Sequence, residues 1–356
     1  MSDLRLLHII AGAAHGGAET FCLDAICALH DAGAKQFVIC RPHDNYIKAL
    51  EARGIPYKTM SFSRLNRFLR GSAMIRETVA AFKPDVVHAW MGRASSFVPK
   101  GLGVPVLGWF GGYYDLKRFQ ACDYYMGVTR DIVRHIDAQS GKPEKSFVVH
   151  TFGTLEKDAK PADRASLETP DDARIVLLLS RMHQKKGVDT LLNAAKTMPE
   201  DVYFWLAGDG PEIDDYKALC TQLGLDGRVR FLGWRDDRSA LLQAADVCTL
   251  PSRYEPFGTV MAEAWFAGVP LVAAKAAGPK AYVEHGVNGL LCEIDDVEGL
   301  RTCLMDSLDD AALRETLIAN GHLTCETLFS RDGTVKALYD AYETMRQGGK
   351  NAARAA

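Results

Sequence analysis

Short apolar runs alternate with amphipathic stretches along almost the whole chain, and few folds accept that pattern. Runs at 4–11, 37–40, 85–89, 104–107, 124–128 and 147–149 read as strands. The segment 18–31 between the first two reads as a helix, with Phe21, Ala25, Ala28 and Leu29 at helical spacing. Strands so uniformly apolar are buried on both faces, so the pattern predicts parallel sheets covered by helices. The alternation stops at 151–173, where Lys157, Asp158, Lys160, Pro161, Asp163, Glu168 and Pro170 replace any apolar period. It restarts with runs at 174–179, 202–207, 229–232, 247–250 and 271–273. The predicted class is α/β with two doubly wound domains, 1–165 and 166–330. The segment 331–356 ends a helical tail that begins near 311 and could cross back to the first domain. Two such sheets would face a cleft, and ligands of open α/β sheets sit beyond the carboxyl ends of the strands.

Composition narrows the class. Apolar residues make up 47% and charged residues 24% of the 356, as in a folded enzyme rather than a disordered chain. No run approaches the roughly 18 to 20 apolar residues of a membrane span. The N-terminus lacks the signal-peptide pattern. Nine cysteines without Cys-x-x-Cys spacing argue against a disulfide framework or a zinc site. The expectation is a cytoplasmic protein. The net charge of -3 divides into +6 over residues 1–165 and -9 over the remainder. Different partners for the two halves would produce this, and so would chance variation between two surfaces.

Three segments carry chemistry. Gly12-Ala13-Ala14-His15-Gly16-Gly17-Ala18-Glu19 follows the first strand and opens the first helix. Its glycines and free helix-start amides suit an anion, or serve a tight turn. It is neither a G-x-G-x-x-G fingerprint nor a Walker loop. Ser180-Arg181-Met182-His183-Gln184-Lys185-Lys186-Gly187 also joins a strand to a helix. Arg181 and Lys186 could clamp a diphosphate there, or form a solvated basic loop. In Ser252-Arg253-Tyr254-Glu255-Pro256-Phe257-Gly258-Thr259-Val260-Met261-Ala262-Glu263, two carboxylates flank a turn that exposes amides at a helix start. Carboxylates accepting from sugar hydroxyls beside a phosphate-binding helix terminus suit a sugar nucleotide.

With these segments, Ala207-Gly208-Asp209-Gly210-Pro211 and Gly286-x-Asn288-Gly289-Leu290-Leu291 complete an ordered set over residues 8 to 330. The chain resembles the retaining GT-B glycosyltransferases of glycosyltransferase family 4, group 1 type. The resemblance implies two Rossmann-like domains and a nucleoside-diphosphate sugar donor on the second. Transfer to a glycan or glycolipid acceptor would follow, in lipopolysaccharide or other cell-surface polysaccharide synthesis. It implies that Arg181 and Lys186 hold the diphosphate, that Glu255 binds the donor sugar, and that Glu263 binds the ribose. Gly208 and the amides of Phe257, Gly258 and Thr259 would lie against the donor, and Gly16 and Gly17 would approach it from the first domain. No Asp-x-Asp occurs in the sequence, which fits a metal-independent class without cofactor. Many relatives carry His-x-His where this chain has His88-Ala89-Trp90. His88 therefore reads either as a catalytic contact or as a buried histidine at a strand end. Other readings are a nucleotide-sugar epimerase or a phosphorylase on the same fold, whose added acid-base groups or pyridoxal-binding lysine have no clear motif here. A non-catalytic nucleotide-sugar-binding protein is a further one.

On the acceptor side, residues 61–70 place Arg64, Arg67 and Arg70 at spacing three among Phe62, Leu65, Phe68 and Leu69. A basic amphipathic helix of this kind could touch anionic membrane on the inner face, and an ordinary surface helix gives the same pattern. Trp109-Phe110-Gly111-Gly112-Tyr113-Tyr114 reads as an aromatic loop after a strand. No nucleic-acid module is recognisable.

Overall fold

The computed structural model describes residues 3–14, 16–63, 71–153, 155–156 and 159–355. It divides into two units, one of residues 1–152 with 331–356 and one of residues 153–330.

The first unit holds a seven-stranded sheet in the order β3-β2-β1-β4-β5-β6-β7. Its strands are β1 (Arg5–Ile10), β2 (Lys35–Cys40), β3 (Tyr57–Thr59), β4 (Val86–Trp90), β5 (Val106–Phe110), β6 (Tyr124–Gly127) and β7 (Ser146–Val148). Every pairing is parallel. The central strands β4 and β5 are buried at every position. An aspartate just ahead of one strand accepts from the first amide of its neighbour: Asp85 from Arg5 and Asp123 from Val106. This pins the strand starts in register. The run expected at 104–107 is shifted: Trp109 and Phe110 belong to β5 and are buried rather than forming a loop. They pack in an aromatic core in which Trp109 stacks on Phe21 at 5.8 Å.

The second unit holds six parallel strands in the order β10-β9-β8-β11-β12-β13. They are β8 (Arg174–Leu179), β9 (Val202–Ala207), β10 (Val229–Gly233), β11 (Val247–Leu250), β12 (Leu271–Ala274) and β13 (Leu290–Cys292). The same device recurs, with Asp246 ahead of β11 accepting from the Ile175 amide at 2.7 Å. Leu178, Leu191, Leu192, Phe204, Val272 and Leu304 share one core under the flanking helices. Each such buried side chain contributes about 1.5–3 kcal/mol. The nine cysteines are buried and unpaired, packing as small apolar groups.

The division falls at Phe152–Gly153, ahead of the expected 165–166 boundary. Most of the polar linker packs on the second unit: Glu156 N donates to Ser239 Oγ, Ala162 N to Ala240 O, and Trp205 Nε1 to Thr169 Oγ1. The tail is two helices, Ala311–Leu328 and Arg331–Ala355, rather than one. Between them Phe329 is buried against Trp265, Phe257 and Tyr282 in the second unit. The last helix belongs to the first unit, where Arg331 pairs with Asp31 and Thr334 Oγ1 donates to His150 O. Among the described residues no helix is long and apolar enough to cross a membrane. Arg64, Arg67 and Arg70 lie outside the described residues.

Candidate functional site

In each sheet the strand order reverses once, between β1 and β4 and between β8 and β11. Such a reversal leaves a crevice at the carboxyl ends of the two strands, where ligands of this architecture bind. In the second unit, the loop after β8 carries Arg181 and Lys186, and the loop after β11 carries Glu255 to Thr259. The two segments singled out in the sequence therefore meet at one switch point.

Their contact is direct. Lys186 Nζ lies 2.5 Å from Glu255 Oε2, with side chains 25% and 14% exposed. Partial burial lowers the screening of this pair. Arg181 is exposed, and its guanidinium has no hydrogen bond or ion pair among the described residues; only its carbonyl accepts, from Ser180 Oγ at 3.3 Å. The helix Thr259–Ala267 starts at Gly258, which is left-handed at φ 92°. The amides of Phe257, Gly258, Thr259 and Val260 donate to no acceptor among the described residues; the first turn closes only with Met261 N on Gly258 O. The turn is held by Phe257, whose ring is buried 5.4 Å from Phe329 and 5.9 Å from Tyr282. Gly278 N donates to Glu255 O at 2.7 Å. The site thus offers a free guanidinium, a paired ammonium and carboxylate, and a row of open amides at a helix start. That combination suits a polar ligand with anionic and hydroxyl groups.

Glu263 stands one turn into the same helix and is 1% exposed. Its Oε1 accepts from Arg238 Nη1. Arg238 escaped the sequence reading because its partner lies 25 residues away and no local pattern links them. The Glu263 carboxylate is thus charge-paired rather than open to solvent. Burial, then the nearby Glu263 charge, push the Cys248 thiol up.

Gly208 backs the β8 loop. Its amide donates to Gly233 O at 2.7 Å. Its φ is +145°, and a Cβ there would lie 1.8 Å from the Ser180 carbonyl oxygen, next to Arg181. Gly208→Ala is expected to cost about 2–3 kcal/mol in urea unfolding of the second unit, through strain and backbone overlap. A loss under about 0.5 kcal/mol would show that the loop relaxes freely. The Gly286–Leu291 segment is structural. Asn288 accepts from Glu284 N and donates to Tyr282 O and Thr324 Oγ1, and its own carbonyl takes the Trp265 indole N–H.

The first unit's switch point carries Gly16 and Gly17 at the start of the helix Gly17–Asp31. Glu19 folds back on this loop and accepts from Ala13 N at 3.2 Å. His88 is not at a loop. It is fully buried in β4, opposite His8 in register, stacked on Trp90 at 3.9 Å. Its Nδ1 shares a 2.7 Å hydrogen bond with Tyr342 of the last helix. It sits in a central strand buried at every position, which favours the buried-histidine reading over the catalytic one. Among the described residues no group of three or more His, Cys, Asp or Glu is placed to hold a metal ion.

Comparison with known proteins identifies the family. Residues 15–152 match the model described as Glycosyltransferase Family 4, and residues 159–324 the model described as Glycosyl transferases group 1. The chain is 36% identical to the lipopolysaccharide core biosynthesis glycosyltransferase LpsE of Rhizobium meliloti (strain 1021), over 92% of this chain and 94% of that one. It is also 36% identical to LpsD of the same organism, over 95% and 97%. In fold it is similar to Anabaena Alr3699/HepE, solved in complex with UDP and glucose, with a TM-score of 0.81 at 23% identity over 95% of this chain and 99% of that one. Both halves are matched in order and the two Rhizobium transferases align over nearly their full lengths, so this chain belongs to the family 4, group 1 glycosyltransferases and has their GT-B fold.

Proposed function

We propose that this glycosyltransferase moves a hexose or related sugar from a nucleoside-diphosphate sugar to a glycan or glycolipid acceptor in cell-surface polysaccharide synthesis, with lipopolysaccharide core as the pathway. The observation that carries the donor reading is the switch point of the second unit. There Lys186 meets Glu255 beside the open amides of Gly258, Thr259 and Val260. The pathway rests on the names of the two Rhizobium relatives. An epimerase on this fold gains no support from them.

In the proposed reaction the bond between the anomeric carbon and the diphosphate oxygen breaks, and the electron pair leaves with the nucleoside diphosphate. Arg181 and Lys186 stabilise the charge that develops on it, which is where electrostatic catalysis has most effect. The acceptor hydroxyl oxygen bonds to the anomeric carbon on the same face, giving retention. Its proton passes to the departing phosphate. Glu255 orients the sugar hydroxyls, and the ribose role of Glu263 requires its buried pair with Arg238 to open toward the ligand. The protein cations take the place a divalent ion would have, so neither metal nor cofactor is required. The acceptor is assigned to the first unit. Peripheral contact with anionic lipid through Arg64, Arg67 and Arg70 belongs to the same proposal, as does a cytoplasmic location.

The test is thermal stabilisation by UDP, ADP, GDP and their glucose conjugates. A ligand at 100 times its Kd adds about 2.7 kcal/mol, or roughly 5–10 °C for a unit of this size. One base is expected to stabilise, and Arg181→Ala to remove most of the shift. No response across a saturating panel overturns the donor assignment. Sugar transfer to a lipopolysaccharide core acceptor separates an enzyme from a binding protein.

A further inference from the structure

Arg253 is one of the most heavily bonded side chains near the switch point, and no step of the proposed reaction uses it. Its guanidinium spans three segments. Nη1 and Nη2 donate to Asp189 Oδ1 and Oδ2 at 2.9 and 2.7 Å, a two-point pairing. Nη1 also donates to the Gln184 carbonyl at 2.6 Å, Nη2 to Thr190 Oγ1 at 3.4 Å, and Nε to Asp295 Oδ1 at 2.6 Å. The backbone joins in: the amides of Arg253 and Tyr254 both donate to the Lys185 carbonyl, at 2.9 and 3.1 Å.

These contacts fix the two residues that form the charged pair. Gln184 and Lys185 immediately precede Lys186, and Asp189 and Thr190 open the helix Val188–Ala195 that follows it. Glu255 lies two residues beyond Arg253. Gly187 seals the junction, since a Cβ on it would lie 2.0 Å from the Pro251 carbonyl oxygen. Arg253 therefore ties the loop after β8 to the loop after β11, and through Asp295 to the turn that follows β13.

We propose that Arg253 is a positioning residue, a clamp whose planar fork sets the spacing between Lys186 and Glu255 that transfer requires. This rests on the donor reading given above. Lysine keeps the charge but cannot bond two carboxylate oxygens and a carbonyl at once from one planar group. A displacement of about 1 Å at a reacting centre costs on the order of a hundredfold in rate.

The test uses the full chain with Arg253→Lys, and Asp189→Asn as a second variant that keeps the side-chain shape should the first fold poorly. Amide hydrogen exchange is read over 184–187 and 252–255, and kcat and KM over a donor titration with UDP-glucose or whichever donor the panel selects. Faster exchange confined to those two segments is expected, with kcat down about tenfold or more and donor KM changed less than threefold. The double variant is expected to lose little beyond Arg253→Lys alone, because both act through one pairing. Unchanged exchange overturns the clamp. Faster exchange with kcat per folded molecule at the wild-type value also overturns it, because the role is then structural only. Absence of turnover by the wild-type protein with every donor overturns the donor reading itself, and is told apart by exchange responding while no transfer occurs.

Discussion

Lys186→Ala is expected to lower kcat/KM for sugar transfer by about two to three orders of magnitude, the range seen when one preorganised charge-stabilising group is removed. Two effects add. The leaving diphosphate loses a cation placed where its charge develops. The Glu255 carboxylate, 14% exposed and 2.5 Å from the missing ammonium, is left uncompensated beside an incoming anion. Burial matters here, because a pair in open solvent would contribute little. Glu255→Gln keeps hydrogen bonding to sugar hydroxyls and frees Lys186, so its loss is expected to fall mainly in kcat. Steady-state kinetics over a donor titration check both. A Lys186→Ala enzyme within threefold of wild type would remove Lys186 from the chemistry and leave Arg181 with the open amides as the phosphate site.

What could be read in advance follows from the range of each interaction. The runs 174–179 and 202–207 coincide with β8 and β9, because central parallel strands are continuous apolar segments. The edge strands β3, Tyr-Lys-Thr, and β13 are three residues long and carry too little pattern to be recognised as strands. The bounds of β5 are not legible, because Val104 and Pro105 look like its start while Trp109 and Phe110 look like a loop. In the site, Arg181, Lys186 and Glu255 were legible because a strand-to-helix junction places its residues at the carboxyl edge whatever the tertiary detail. Arg253 with Asp189 spans 64 residues and His88 with Tyr342 spans 254. Neither leaves a local signal, so what holds the site emerges only in three dimensions.

That long-range pairing of His88 leads to the other large expected effect, a loss of stability of the first unit in mild acid. His8 and His88 face each other on adjacent strands, both fully buried. Burial pushes His8 down to about 3, and burial together with the charge His8 would carry pushes His88 well below the usual histidine value. The hydrogen bonds agree for His8: the Trp90 indole can only donate, so His8 Nδ1, 3.2 Å away, is unprotonated. The folded unit therefore takes up neither proton where the unfolded chain, titrating near 6.5, takes up both. Stability tied to these imidazoles is fully present above pH 6.5 and is lost as pH falls below it, approaching about 1.4 kcal/mol per pH unit for each. Together they remove about 4 kcal/mol between pH 8 and pH 5, a large share of what a domain has. Most carboxylates stay charged across this window, which separates the effect from ordinary acid unfolding. Hydrogen exchange of β1 and β4 at pH 8, 6.5, 5.5 and 5 reads it, and His88→Gln should lower the slope whatever it does to the absolute stability, leaving the part due to His8 and to His150, which burial also pushes down. A profile flat to pH 5 would mean that the pair finds a way to hold a proton inside the sheet, and would make His88 a proton carrier after all.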